Sequence, residues 1–512
     1  MKSLASVKWS VAFLSAALVG GCTVGPDYRQ PETAVPDAFP SAAEEPSTRP
    51  ASTRAASAQP TTQVVSTTQP AMTAQSPWWT TFEDPALDRL IEQAARANLD
   101  LRAAEARVRE ARAARGVVSA DFWPTVDGGG SYTRSKGSEN FGSSGGFVGP
   151  GGGSSFGGGE SDLWDARFDA LWELDVFGRT RRGVQSADAN IQSTIADRND
   201  VLLSLLAEVA RNYVELRGFQ RQVAIALDNV KSQQDTLELT QAKFNAGLTS
   251  DLDVARAEAQ VESTTSTIPT LQTRAQQAIH RLSVLLGQPP ASLTEQLAEP
   301  GQIPSPPPQI PVGLPSELLR RRPDIRRAER NLAAATARIG VATADLFPKF
   351  TISGALGLQS DSFNDWGDIS SSFWSIGPGV SVPIFNAGRL RSNVAVERAR
   401  TDQALAAYEQ AVLVSLEEVE NALVAYRKEY VRRASLSRAV TANQRAVSLS
   451  QQLYQRGLST FLDVLDAQRA LYLTQDDLVR SDALVSSNAV ALFKALGGGW
   501  DAEQVAPQQA RK

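Results

Sequence analysis

Few residues in this chain could do chemistry, and their types narrow what it could be. Among 512 residues there is one cysteine, Cys22, and one histidine, His280. Cys22 ends the sequence Val19-Gly20-Gly21-Cys22, after a short apolar run from Trp9 and a start bearing Lys2 and Lys8. A positive start, a brief apolar stretch and small residues before a cysteine form a lipobox, in which the cysteine is diacylated and becomes the first mature residue. The alternative is an ordinary signal peptide with a chance cysteine. Thr23, not Asp, follows, so nothing argues for retention at the inner membrane. With Cys22 acylated no thiol remains, which excludes disulfides and Cys-based metal sites. His280 lies in a helical heptad pattern and reads as a helix-surface residue rather than a catalytic base. No phosphate-cradling loop and no nucleophile elbow is found. The expectation is no enzyme, no metal and no cofactor beyond covalent lipid.

What remains is carboxylate chemistry near two Gly-Leu turns: Asp253 after Gly247-Leu248, and Asp463 and Asp466 after Gly457-Leu458. Ser250 with Asp253, and Thr460 with Asp463, are spaced like capping boxes at new helix starts. Asp466 lies beyond the first turn, where capping does not account for it.

These turns belong to an internal duplication. Phe244-Asn-Ala-Gly247-Leu-Thr-Ser-Asp-Leu-Asp253 recurs as Tyr454-Gln-Arg-Gly457-Leu-Ser-Thr-Phe-Leu-Asp463, 210 residues on. Asp121-Phe-Trp-Pro124 matches Asp345-Leu-Phe-Pro348 at a shift of 224, and the Gly/Ser-rich stretch 134–161 absorbs the difference. Apolar residues recur every seventh position through Ile195, Leu202, Val209, Leu216, Val223, Val230, Leu237 and Phe244. Leu405 to Tyr454 repeats this, broken only by Arg433, and second series run through Val254–Leu282 and Val464–Leu492. Such a period means long helices in coiled-coil contact, the first about 80 Å for roughly 55 residues. Each half is thus a long helical hairpin.

Between the helices lie four segments of period two, expected near 123–134, 163–176, 349–358 and 373–384. In the second, Trp164, Phe168, Trp172 and Leu174 alternate with Asp165, Arg167, Asp169 and Glu173. One greasy and one hydrophilic face, bounded by aromatics, suits a membrane β-barrel with the charged residues in its lumen. The other reading is a sheet packed on a soluble core. In lipid, four strands leave open edges and cannot close, so the chain would have to oligomerise.

The layout expected is a leader (1–21) and an acylated tether (22–84) of low complexity over 40–77. Repeat 1 covers 85–299 with its hairpin at 184–287, and a Pro-rich connector covers 300–320. Repeat 2 covers 321–499 with its hairpin at 390–496, and a polar tail covers 500–512. No later segment is apolar enough for a transmembrane helix. The whole chain carries −5, and losing the leader removes only Lys2 and Lys8, so the mature chain is more acidic still; nucleic acid is not an expected partner.

From about Pro85 to Gly497 the sequence resembles the outer-membrane factors of efflux and secretion systems, the TolC and OprM group, in its lipoprotein (NodT-like) branch. The resemblance rests on the lipobox, Arg321-Arg-Pro-Asp324-Ile-Arg, the paired Asp-x-x-Pro steps, Pro383-Ile-Phe-Asn-Ala-Gly388-Arg and the two Gly-Leu turns. It implies an α+β membrane protein, a homotrimer whose twelve-stranded barrel, four strands per chain, continues into a long periplasmic α-helical barrel. It implies a periplasmic membrane-fusion (adaptor) protein contacting the tips at Gly247, Leu248, Gly457 and Leu458. It further implies an inner-membrane pump of the resistance-nodulation-division type, and passive efflux of drugs or other small molecules. By the family's pattern Tyr454, Asp463 and Asp466 line the periplasmic gate, with Asp253 and Arg256 as first-repeat partners. Some members carry an arginine two residues after the second turn glycine; here it is Ser459, so an ionic latch is absent or uses Arg256 or Arg456. Alternatives are a duct for type I protein secretion and, from another class, a structural coiled-coil lipoprotein or adhesin, which would not need amphipathic strands.

Overall fold

The computed structural model describes residues 23–31, 36, 38–42, 77–136, 160–307, 310, 312–313 and 315–498. The leader, Cys22, most of the low-complexity stretch and the tail from 500 lie outside them. In the first half, α1 (Pro85–Ala97) and α2 (Leu99–Ala120) lead to β1 (Thr125–Lys136) and β2 (Glu160–Leu174), then to α3 (Arg179–Asn245) and α4 (Asp251–Leu285). In the second, α5 (Pro315–Arg321) and α6 (Pro323–Ala344) lead to β3 (Lys349–Ser360) and β4 (Ser372–Ser381), then to α7 (Arg389–Gln455) and α8 (Phe461–Ala495). The halves match closely. α3 and α7 have 67 residues each and α4 and α8 have 35, with bounds that coincide under the 210-residue shift. At 1.5 Å per residue α3 and α7 are each about 100 Å long.

Local chemistry sets the element ends. Asp84 caps α1, accepting from the N–H groups of Ala86 (2.8 Å) and Leu87 (3.2 Å), with Pro85 in the first turn where no N–H is needed. Asp175 closes β2 and starts α3: its carboxylate accepts from the N–H groups of Thr180 (3.1 Å) and Arg181 (2.9 Å). It therefore lies past the end of β2, inside the 163–176 segment expected as strand. Gly247 and Gly457 adopt φ of +73° and +76°, and a Cβ would meet nothing within 4 Å at either. The requirement for glycine there is conformational, to end the helix and reverse the chain.

The chain divides into two compact units. The first, residues 1–30, 109–192 and 330–405, contains one antiparallel sheet in the order β1-β2-β3-β4. Its register aligns rows of like character: Gly128, Phe168, Leu356 and Trp374 in one, Val126, Ala170, Gly354 and Ile376 in the next. Residues 23–28 also pack in this unit.

The second unit, residues 31–108, 193–329 and 406–512, holds the helical core. Trp78 stacks on Phe493 at 5.3 Å, and Leu87, Leu90, Leu206, Leu216, Leu282 and Leu286 are fully buried around them. Phe39 is 2% exposed in the same cluster, and the Ser41 carbonyl accepts from Arg427. Within the segment expected as a tether, Phe39 is thus anchored in the core and Ser41 is tied to Arg427.

The apolar seam of α7 follows the sevenfold series: Val412, Val419, Tyr426, Val440, Val447 and Tyr454 are buried, and Arg433 pairs with Asp482. In α3 the series is buried through Leu202, Val209 and Leu216; further on Val223, Val230 and Leu237 are only half-buried, and Gln222, Asn229 and Thr236, one position before each, are buried, while Phe244 is exposed. These three polar positions meet polar partners. Gln222 donates to Asp476 (2.5 Å), Asn229 to Gln475 (2.9 Å), and Gln468 to Thr236 (2.9 Å).

Candidate functional site

In the sheet unit, Asp165, Arg167 and Asp169 share one face of β2. Arg167 Nε lies 2.9 Å from Asp169 and 3.8 Å from Asp165. Its cross-strand neighbours are Gly129 on β1 and Gly357 on β3. A Cβ on Gly357 would strike the Ala166 carbonyl and the Arg167 Cβ, so only glycine permits this approach. Asp127 stands directly opposite Asp169, making this face acidic. Glu173 continues the row opposite Thr351. The other face is apolar and open: Phe168 is 62% exposed, Trp374 75% and Ile376 71%. Aromatic clusters bound it. Tyr132, Trp164 and Phe363 form one, at 4.2 and 4.9 Å, and Phe177, Phe347 and Phe350 the other, at 4.7 and 6.4 Å.

In the helical unit, the tip places the expected gate residues unequally. The Tyr454 ring is 4% exposed, packed with Ala257, Phe461, Val464 and Leu465. Lys243 Nζ sits 4.0 Å from its centroid and donates to the Tyr454 carbonyl, and the phenol is 3.4 Å from Thr240 Oγ1. Tyr454 thus joins the two hairpins, and its ring is covered rather than presented. The Asp463 carboxylate accepts from the Thr460 N–H (2.9 Å) and hydroxyl (2.8 Å), bonds that hold its pKa below the ordinary value. Asp253 in the first repeat accepts from the hydroxyls of Thr249 (2.7 Å) and Ser250 (3.3 Å), with Arg256 at 3.6 Å, but from no backbone N–H. Only Asp463 completes a capping box. Asp466 is exposed and makes no hydrogen bond or ion pair among the described residues. Leu248 and Leu458 project at the turns, 74% and 70% exposed. Ser459 turns back to the Ser450 carbonyl at 3.5 Å.

A third site lies where α5 meets α6. Arg322, buried, donates to the Ala495 carbonyl (3.0 Å) and grips Asp324 (2.7 Å) and Glu418 (2.6 Å). Burial opposes its charge, but the two carboxylates win and raise its pKa. Burial would likewise raise Asp324, and the Arg322 bond and charge outweigh it. Asn98, between α1 and α2, donates to the Leu285 carbonyl at 2.9 Å. Leu285 and Ala495 are equivalent positions, so both repeats satisfy the same helix end from the same joint.

Two long duplicated hairpins attached to paired amphipathic strands decide the family, and the comparisons agree. The model of the family described as "Outer membrane efflux protein" matches residues 90–288 and 314–498. The chain belongs to the outer membrane efflux protein family. This efflux protein is 34% identical over 500 residues to nodulation protein T of Rhizobium leguminosarum bv. trifolii, covering 96% of this chain and 98% of that one. It is 31% identical over 509 residues to the solvent efflux pump outer membrane protein SrpC of Pseudomonas putida, covering 97% and 99%. Among solved structures it resembles the outer-membrane channel OprN, with a TM-score of 0.82 and 39% identity over 94% of this chain and all of that one. It is accordingly an outer-membrane protein of efflux, in a family of transport ducts rather than enzymes. No described helix is long and apolar enough to cross a membrane. The sequence had not singled out Asn98 or Lys243. Arg322 lay within a quoted motif, but a run of arginines carries no sign of which one is buried.

Proposed function

We propose that three copies of this chain close their sheets into one twelve-stranded barrel in the outer membrane, with the hairpins forming a periplasmic helical duct. The observation that carries this is the sheet itself. β1 and β4 are edges without a partner among the described strands, and the face bearing Phe168, Leu356, Trp374 and Ile376 is bare. Open edges cannot stand in hydrocarbon, and four strands cannot close alone. Trp164 and Leu174 are ten residues apart on β2, about 34 Å along the strand. At the tilt of about 40° usual in such barrels this spans about 26 Å, the height of an outer-membrane apolar band. The opposite face, with Asp165, Arg167, Asp169 and Glu173, lines the lumen.

The duct passively conducts small molecules delivered by an inner-membrane pump, of the resistance-nodulation-division type, through a periplasmic adaptor that contacts Leu248 and Leu458. Relatives are named for export of pyoverdine, solvents, toluene and antibiotics, which supports small-molecule efflux over protein secretion. Cys22 carries the lipid that delivers the chain to the outer membrane. Asp466, three times repeated, forms the charged ring of the periplasmic aperture. The reading requires no catalytic residue and no cofactor.

Mass measurement of the detergent-extracted protein tests the assembly. A trimer is the expected result. A stable β-rich monomer in lipid would overturn it, because its edges would then be satisfied by other means.

A further inference from the structure

The buried side chains of the helical unit form two apolar clusters with a polar stretch between them. The main core holds Leu206, Leu216, Leu282 and Leu492. A separate cluster at the tip gathers Ala257, Tyr454, Phe461, Val464 and Leu465. Beyond Ala226, every buried position of α3 toward the tip is polar: Asn229, Gln233, Thr236 and Thr240. Their spacing of four, three and four is that of a coiled-coil seam, here made of amides and hydroxyls. Asn229 donates to Gln475 and Gln468 to Thr236, both at 2.9 Å, while Gln233 has neither amide atom bonded among the described residues. Water replaces such bonds when they open, so this seam parts at less cost than either apolar cluster.

α4 is weakest at the same height. Pro269 stands in the middle of this 35-residue helix and has no N–H for the Thr265 carbonyl. Around it Thr264, Thr265, Ser266, Thr267 and Thr273 each donate a hydroxyl to a carbonyl one turn back, at 2.7–3.1 Å. Such bonds compete with the helix's own ladder and favour bending. The Thr267 hydroxyl also meets that of Tyr472 at 3.1 Å. Tyr472 and Gln475 lie one turn apart on α8, so Thr267 of α4 and Asn229 of α3 stand at one height. α8 has no such break. Val479, 4% exposed, stands where the repeat would place the proline, and within 473–483 Thr474 alone makes a hydroxyl bond to a preceding carbonyl.

We infer that the helical hairpins carry a joint at this height, at which the tip cluster moves as one body against the main core. Pro269 is the hinge, and the polar seam of α3 is the surface that slips. The seam holds alternative pairings for a shifted tip. Thr236 already faces two amides, Gln468 at 2.9 Å and Gln451 at 3.5 Å, and the Gln233 amide one turn away is unused. Because α8 continues unbroken, the first-repeat hairpin bends more than the second. The joint lies within one chain and requires no neighbour. It lets the turns at Gly247 and Gly457 change tilt while both apolar clusters stay packed.

The test is hydrogen–deuterium exchange of the intact detergent-extracted protein, read by mass spectrometry on peptides along α4. The expected profile has its maximum in the middle of the helix. Peptides over 263–273 should exchange several-fold faster than those over 255–261 on the tip side and 278–285 on the core side, and faster than 473–483 of α8. Pro269→Ala supplies the missing donor, and should slow the middle peptide while leaving the other two unchanged. Exchange that falls steadily from the turn toward the core is fraying of the hairpin end, and overturns the joint. A middle peptide protected as well as 278–285, or one unaffected by Pro269→Ala, overturns it too. The wild-type profile decides the question even where the variant does not assemble.

Discussion

The joint at Asn98 and the joint at Arg322 occupy the same place in the two repeats and solve the same problem with different chemistry. Each interrupts a helix and each satisfies the last carbonyl of the partner hairpin, Leu285 or Ala495. The first repeat uses a neutral amide. The second uses a guanidinium, which then needs counter-charges and takes them from Asp324 and Glu418. Glu208, the counterpart of Glu418, is instead held by Arg281 on α4, whose counterpart in α8 is Ala491. Duplication has thus kept the acid and the capped carbonyl and moved the cation. In the first repeat the ion pair lies at the surface, with Arg281 51% exposed; in the second it is drawn inside, with Arg322 8% exposed. Where a charge sits, more than whether it is paired, sets what its loss should do.

The largest effect is expected from Arg322→Ala. It leaves the half-buried Asp324 carboxylate and the Ala495 carbonyl without their partner around a buried gap, a loss of about 3 kcal/mol. Thermal unfolding in detergent measures it, and a loss as small as that of an exposed pair would mean that solvent enters the joint. Asn98→Ala should cost about 1–3 kcal/mol, since it removes one neutral donor from a buried carbonyl. If the two variants were equal, the carbonyl bond would be the whole contribution and the added charges of the second repeat inert.

Acid should separate the repeats as well. The folded pKa of Asp324 is depressed, so its contribution is complete above the ordinary carboxylate value of 3.8 and is lost as the pH falls from there through the lower folded value. Thermal midpoints measured downward from pH 5 should therefore fall below about pH 4, and this part of the fall should vanish in Asp324→Asn. Arg281→Ala, at the exposed pair, should change stability by no more than about 1 kcal/mol.

Much of this architecture was legible in the sequence because it is periodic. The hairpins, their turns and the four strands follow from spacing and from two glycines. The seam of α3 was not legible past Leu216, because the apolar residues at every seventh position are only half-buried there and Asn229 and Thr236, one position before them, are buried instead. A polar residue at a packed position is recognisable only when its partner is known, and Gln468 and Gln475 lie more than two hundred residues away. The packing of residues 23–28 was hidden for the opposite reason: the segment is too short for a period, and the fit of Thr23 and Gly25 depends on Gly178 and Gly340 far along the chain.

The smallest change in stability is expected at the tip, where the repeats differ by one carboxylate. Asp253 and Asp463 both accept hydroxyl bonds at helix starts, but only the second repeat adds Asp466; the first has Arg256 at that position, paired with Asp253. Asp466 is exposed and makes no hydrogen bond or ion pair among the described residues, so Asp466→Ala should leave thermal stability and assembly unchanged. In the proposed trimer, three such carboxylates around a narrow aperture attract cations and repel anions. Asp466→Ala should therefore weaken cation selectivity and cation block in planar bilayers. Asp463→Ala should instead lower stability by removing the cap on α8, with a smaller change in selectivity. The double variant should add the two effects, one on each measurement. If Asp466→Ala keeps wild-type selectivity, the aperture is not lined by this residue, and the second repeat's extra carboxylate is only a solvated surface charge.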